Sequence, residues 1–231
     1  MIALLTNDDG IDAAGLAALS RVAAEFFDEV WTVAPAEQMS QIGHRVTTDE
    51  VIRYEKRGEN RFAVHGTPAD CTRVAMSHLM SQKPDWILSG VNHGGNLGRH
   101  DFVISGTVAA VREGALAGIP GCAFSHFMMR GRELNWGAAE EWASRAFSAV
   151  LGENLEAGEF WNVNLPHPPP DETEPEISFC EQELHPLEVA YEEIEPGSLS
   201  YKGDYHGRPR RPGSDVDVCF GGGIAISKVS V

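Results

Sequence analysis

Ile2-Ala3-Leu4-Leu5-Thr6-Asn7-Asp8-Asp9-Gly10 is the stretch whose reading decides the fold. Residues 2–6 form a short apolar run that reads as a strand, and the polar Asn-Asp-Asp-Gly after it reads as the loop at that strand's carboxyl end. Leu16, Leu19, Ala23 and Phe26 then recur at helical spacing, which predicts a helix from about Ala14 to Phe27. Val30–Ala34 is a second strand, ending at Pro35. A strand, a helix and a strand in this order are the signature of a parallel sheet covered by helices.

The alternation continues through the first two-thirds of the chain. Thr47–Tyr54 and Arg61–Val64 have hairpin character. Thr67-Pro68-Ala69-Asp70 opens a helix, with Thr67 as N-cap and Pro68 at the first helical position. Trp86–Ser89 is a buried strand, followed by a glycine-rich loop and a helix from about Gly106 to Leu116. Gly121–Ser125, Ala138–Leu151 and Phe160–Asn164 continue as strand, helix and strand. The expected fold class is α/β, a Rossmann-like doubly wound and mostly parallel sheet. From Leu165 the composition changes: His167-Pro168-Pro169-Pro170 begins a Pro- and Glu-rich segment that cannot extend a regular α/β repeat. Residues 1–231 are therefore read as one domain, with about 165–212 as an extension, an arm or hairpin that docks on a partner subunit. Val216–Val218 and Ile224–Val229 are read as closing strands.

The chain carries 34 acidic against 18 basic residues, a formal charge of −16. Non-specific nucleic-acid binding needs cationic groups that displace counterions, so nucleic acid is excluded as a partner. A small anionic substrate remains open, but its charge must be met locally by a metal or by backbone N–H groups. No stretch approaches the roughly 20 apolar residues that span a bilayer, so no membrane partner is expected. The strand at residues 2–5 leaves no room for a signal peptide, and a cytoplasmic location is the default. Cys71, Cys122, Cys180 and Cys219 show no metal-binding spacing and read as free thiols.

Three segments carry the candidate chemistry, each at the carboxyl end of a strand or the start of a helix. Asp8 and Asp9 supply hard oxygen donors suited to Mg²⁺ or Mn²⁺, although acids also favour the first turn of a helix. Ser89-Gly90-Val91-Asn92-His93-Gly94-Gly95-Asn96-Leu97-Gly98 adds Asn92, whose amide oxygen suits a cation already held by carboxylates. Ser105-Gly106-Thr107 opens a helix whose free N–H groups and hydroxyls form a phosphate cradle; an ordinary serine cap is the plainer alternative. His93, His100 and His126 lie near these segments without a nucleophile to pair with. P-loop, GxSxG, HExxH and GxGxxG patterns are missing.

Together these segments resemble the SurE (survival protein E) family of metal-dependent 5′/3′-nucleotidases. The matching residues are Leu5-Thr6-Asn7-Asp8-Asp9-Gly10 with Gly15, Val33-Ala34-Pro35 with Ser40, and Gly66-Thr67-Pro68-Ala69-Asp70-Cys71. Ser89-Gly90-Val91-Asn92 with Gly94 and Asn96 follows, then Ser105-Gly106-Thr107-Val108-Ala109-Ala110 with Glu113-Gly114. Asn162-Val163-Asn164-Leu165-Pro166 and Ser214-Asp215 with Ile224-Ala225-Ile226-Ser227 are weaker echoes. The resemblance implies a divalent cation held by Asp8, Asp9, Ser40 and Asn92, and phosphate held at the helix start Ser105, Gly106 and Thr107, where Asn96 is expected to hold a non-bridging oxygen as well. Ser40 enters through the resemblance alone. It also implies one Mg²⁺ or Mn²⁺ per subunit and a homodimer or homotetramer. The chain departs from the family pattern at Ile104, where Tyr is usual, by an extra residue between Asn96 and Ser105, and at Ala36-Glu37-Gln38-Met39.

The expected activity is hydrolysis of nucleoside 5′- or 3′-monophosphates, with Asp8 and Asp9 as the catalytic pair. A broad acid phosphatase or exopolyphosphatase is the neighbouring alternative. A receiver-like signalling domain also places paired acids after strand one, but it needs a phospho-acceptor Asp and a later Lys at strand ends, and neither is found. A haloacid-dehalogenase phosphatase needs Asp-x-Asp, whereas the residue two beyond Asp8 is Gly10.

Overall fold

The computed structural model describes residues 1–167 and 174–231. Pro168-Pro169-Pro170, which opens the expected extension, lies outside the described residues. In chain order the strands are β1 (Ile2–Thr6), β2 (Glu29–Pro35), β3 (Arg53–Gly58), β4 (Arg61–His65), β5 (Trp86–His93), β6 (Gly121–His126), β7 (Glu159–Leu165), β8 (Ile177–Phe179), β9 (Tyr191–Glu195), β10 (Ser198–Tyr201) and β11 (Ile224–Ser230). The helices are α1 (Ala14–Phe26), α2 (Pro68–Val74), α3 (Gly98–Ile104), α4 (Gly106–Leu116), α5 (Trp136–Val150) and α6 (Asp215–Phe220).

Among the described residues, β3-β4-β2-β1-β5-β6-β7-β11-β8 lie side by side in one sheet, and β9 pairs with β10 in a separate two-stranded sheet. The run from β4 to β7 is parallel, whereas β3 and β11 pair antiparallel with their neighbours β4 and β7. The chain winds outward from β1 through β2 to β4, then returns to β5 on the other side of β1 and winds away through β6 and β7. That reversal makes β1/β5 the switch point of the sheet, where the flanking connections diverge and leave a crevice.

Alternation along the central strands fills two cores. Leu5, Leu88 and Phe124 face α1 and α5 with Leu16, Leu19 and Phe147, whereas Leu4, Ile87 and Ala123 face α2 and α4 with Cys71, Val108 and Val111. Phe147 packs edge-to-face on Phe26 at 5.0 Å and on Trp86 at 5.2 Å between ring centres. The Rossmann-like α/β fold expected from the sequence is the one observed.

The structure corrects three local expectations. Val216–Val218 is not a closing strand but the middle of α6. The Ser214 hydroxyl caps that helix by accepting the Asp217 N–H, and Asp215 and Asp217 sit in its first turn, so the helix-start chemistry prevails over the strand-like alternation Val216-Asp217-Val218. Residues 47–52, expected in a strand, are loop; β3 begins at Arg53. The glycine-rich connection after β5 holds a helix of its own, α3, whose short length gives no usable periodicity. The α2 cap is as expected and more complete, because Thr67 and Asp70 form a reciprocal capping box.

Candidate functional site at the switch point

Asn7, the first residue beyond β1, braces the acidic loop. Its side-chain amide donates to the Gly10 carbonyl at 2.9 Å and accepts the Gly10 N–H at 3.2 Å. The braced turn leaves Asp8 buried and Asp9 partly exposed. Thr107, at the start of α4, donates its hydroxyl to Asp8 Oδ1 at 2.5 Å. Asp9 Oδ2 accepts the His93 N–H at 2.9 Å, which ties the loop after β1 to the end of β5.

Burial pushes the Asp8 carboxyl up to about 6; the Thr107 hydrogen bond offsets part of that, and the neighbouring Asp9 charge adds to it. Gly106 allows this proximity. A Cβ there would stand 2.9 Å from the Asp8 Cβ and 3.1 Å from Pro68 Cγ, so any side chain would push Asp8 out of place.

The loop carrying Ser40 is fastened over the same place. The Met39 N–H donates to the Asp8 carbonyl at 2.7 Å, and Gln38 Nε2 donates to Ser40 Oγ at 2.8 Å. The far end of the loop is held by Asp70, whose carboxylate accepts the Thr47 N–H at 2.8 Å and hydroxyl at 2.7 Å. His44 bonds Glu113 of α4 at 2.7 Å. The Gly66–Cys71 block therefore serves the site indirectly, by anchoring the loop that presents Ser40.

Asn92 uses its amide nitrogen on the Gly94 carbonyl at 2.7 Å, so its Oδ1 is the atom it has to offer. Asn96 sits in a buried polar cluster. Its N–H donates to Asn164 Oδ1 at 2.8 Å, its side chain donates to Ser125 Oγ at 2.7 Å, and its carbonyl accepts from Asn162 and Asn164. The Asn162–Asn164 echo in the sequence is thus the brace of the Asn96 turn. Ser105 caps α4, its hydroxyl accepting the Val108 N–H at 3.1 Å. The capping and phosphate readings of Ser105 are compatible, because Ser105 also faces the cavity.

Asp8, Ser40, Asn92, Asn96 and Ser105 line one cavity of about 680 Å³. Asp9, Gly106 and Thr107 stand behind that wall and are tied to it through His93 and Asp8. His100, near these segments in the sequence, is on the cavity wall, whereas the Gln38–Ser40 bond, Asp101 of α3, and Tyr191, Tyr201 and Tyr205 had no signal in the sequence. The tyrosines lie in or just beyond the Glu-rich segment, where composition hides them.

The fold and site together define a Rossmann-like α/β protein with an oxygen-rich centre and a helix N-terminus at the switch point of its sheet. The family model described as survival protein SurE matches residues 3–188. The chain belongs to that family. A protein of Synechocystis is 50% identical over 228 residues, covering 99% of each chain. The 5′-nucleotidase SurE of Allorhizobium ampelinum is 37% identical over 235 residues, covering 99% of this chain and 91% of its own. The crystal structure of the SurE protein from Aquifex aeolicus superposes with a TM-score of 0.84 at 28% identity, over 100% of this chain and 93% of that one.

Family membership implies a divalent-cation cofactor. The residues present fit one. Among the described residues no three His, Cys, Asp or Glu side chains gather as a metal site. The donors here are instead two carboxylates with hydroxyl and amide oxygens, the set preferred by a hard cation. A desolvated carboxylate beside a second one is also the charge arrangement that a cation relieves.

Deeper in the same sheet edge, His126 at the end of β6 is fully buried beside Trp136 and Trp142, 6.1 and 6.2 Å between ring centres. Burial, with His167 nearby, holds its pKa down at about 4. The unfolded chain takes up this proton near pH 6.5 and the folded chain only near 4, so stability is complete above 6.5 and falls as pH drops between them. The loss amounts to up to about 3 kcal/mol. Urea unfolding at pH 7.5 and 4.5 should show a steeper acid loss for wild type than for His126→Gln; equal losses would remove His126 from the account.

Proposed function

We propose that this chain is a metal-dependent phosphomonoesterase that hydrolyses nucleoside 5′- or 3′-monophosphates to nucleoside and inorganic phosphate. The observation that carries the proposal is Asp8, buried at the switch point between Asp9 and the Ser105–Thr107 helix start. Asp8, Asp9, Ser40 and Asn92 would hold one Mg²⁺ or Mn²⁺ per subunit. When bound, such a cation supplies Lewis acidity toward a phosphoryl oxygen and lowers the pKa of water.

The rest is done by the chain itself. Thr107 fixes one Asp8 oxygen and leaves the other directed by the braced Asn7–Gly10 turn. Asn96 and the N–H groups opening α4 hold the non-bridging oxygens and stabilise the charge that shifts onto them. Asp8 and Asp9 are the catalytic pair in this reading: Asp8, on the cavity wall, would take the proton from attacking water and pass it to the ester oxygen that leaves as the phosphorus–oxygen bond breaks, with the Asp9 charge beside it keeping Asp8 basic.

The extension over about 165–212 is proposed as a subunit-docking arm of a homodimer or homotetramer. Its β9–β10 hairpin leaves Ile194 and Leu199 each 64% exposed, apolar surface of the kind a partner covers. A monomeric mass in light scattering would contradict the arm. The proposed place of action is the cytoplasm, which the four free cysteines fit. No helix among the described residues is long and apolar enough to cross a membrane.

The test of the activity is phosphate release from a panel of nucleoside monophosphates with Mg²⁺ or Mn²⁺ supplied. Release abolished by chelator and restored by metal is expected; no release from any member of the panel would reject the activity.

A further inference from the structure

We infer that Tyr191, Tyr201 and Tyr205, on the wall of the cavity that Asp8 also lines, form a base-stacking subsite, which admits an uncharged aromatic leaving group and turns away a second phosphoryl group. The inference builds on the nucleotidase reading and assigns what that reading leaves open, namely what recognises the part of the substrate that is not phosphate.

The three rings and Asp8 line one continuous cavity. Tyr191 and Tyr201 are directly opposed across β9 and β10, with ring centres 5.5 Å apart and planes at 71°. An edge-to-face pair leaves ring faces open, and the two residues are 61% and 49% exposed. Exposed tyrosines held as a fixed pair on a hairpin are a poor use of apolar surface in water and a good platform for a planar heterocycle. Tyr205, on the wall of the same cavity, is fixed by its own contacts: its hydroxyl donates to Asp101 at 3.0 Å, and the Arg208 guanidinium lies 5.1 Å from its ring centre.

Charge decides what else can enter. Among the described residues that line the cavity there is no Lys or Arg, while Asp8 and Asp101 are both acidic. Arg208, whose guanidinium lies against the Tyr205 ring, is buried and committed to Asp101 at 2.7 Å. A β-phosphate or a polyphosphate chain reaching past the first phosphoryl group would meet tyrosine rings and the Arg208-paired Asp101, with the imidazoles of His93 and His100 but no lysine or arginine on the wall to neutralise it. This favours a nucleoside monophosphate over nucleoside diphosphates and over polyphosphate.

The test uses the full chain and has a readout independent of catalysis. Calorimetric titration with adenosine, which carries no phosphate, should show binding weakened at least about tenfold in a Tyr191→Ala/Tyr201→Ala double variant, the scale of a lost base stack, and little changed in Tyr191→Phe. In turnover, the double variant should raise KM for AMP by a similar factor and leave KM for ribose 5-phosphate unchanged. ADP and tripolyphosphate should be hydrolysed at least about tenfold less efficiently than AMP. Equal adenosine binding by wild type and double variant, or ADP and tripolyphosphate turned over as well as AMP, would overturn the subsite. A chain that binds adenosine through these tyrosines but releases phosphate from no monoester would instead contradict the nucleotidase reading and leave the subsite standing.

Discussion

An Asp8→Asn variant is expected to lose phosphate release by on the order of 10³-fold while its metal-free form stays as stable as wild type or becomes more so. The loss follows from removing one of the two charges proposed to hold the cation, a loss of several kcal/mol of transition-state charge stabilisation. The stability effect has the opposite sign and a separate cause. Burial lifts the Asp8 carboxyl from 3.8 to about 6. Between these values the folded chain holds the proton more tightly than the unfolded chain, so stability is highest at low pH and declines as pH rises through that window. At neutral pH the metal-free carboxylate therefore costs about 3 kcal/mol, which the isosteric, uncharged Asn relieves. Thermal unfolding in chelator beside a phosphate assay checks both. An inactive variant with a markedly lower Tm would mean that Asp8 is chiefly structural, and an active one would remove it from the chemistry.

Gly15→Ala is expected to destabilise the fold by more than about 3 kcal/mol, beyond the usual cost of an added methyl group in a core. Gly15 lies in the first turn of α1, where the helix crosses β5. A Cβ there would stand 1.9 Å from the Val91 carbonyl oxygen and 2.9 Å from the Trp136 ring. The obstacle is backbone of the central sheet, which cannot swing aside as a side chain does, so α1 must lift from β5. Val91 immediately precedes Asn92, so the same shift moves a proposed metal ligand. Denaturant unfolding should show the lost stability, and whatever folded protein remains should bind metal less tightly. A variant within about 1 kcal/mol of wild type would mean that α1 is held far more loosely than the packing implies.

The particulars show what the sequence made legible. The pattern of Leu4 and Leu5 around β1 and the Thr67-Pro68 helix start are local signals with local causes, and both stand as read. The capping role of Asp70 is equally local, but its grip on Thr47 joins residues 23 apart and has no sequence signal. The same holds for the bond from Thr107 to Asp8, across 99 residues, and for the pairing of Asn164 with the Asn96 backbone. Each explains why a polar residue stands where it does, and each depends on the winding of the sheet around the switch point. The helix at α6 has a physical reason as well: the short alternation Val216-Asp217-Val218 has the period of a strand, and only the Ser214 cap with its acidic first turn marks a helix start. Placing Ser40 needed the family resemblance, because a serine in a polar loop looks like any other until Met39 is seen bonded to the Asp8 carbonyl.

The account rests on a cation site built on Asp8 and Asp9, and a Mn²⁺ titration followed by electron paramagnetic resonance tests it most directly. Wild-type protein should take up about one ion per chain, with Asp8→Asn and Asp9→Asn each binding at least about tenfold more weakly. Wild type without saturable uptake, or either variant binding as tightly as wild type, would contradict it.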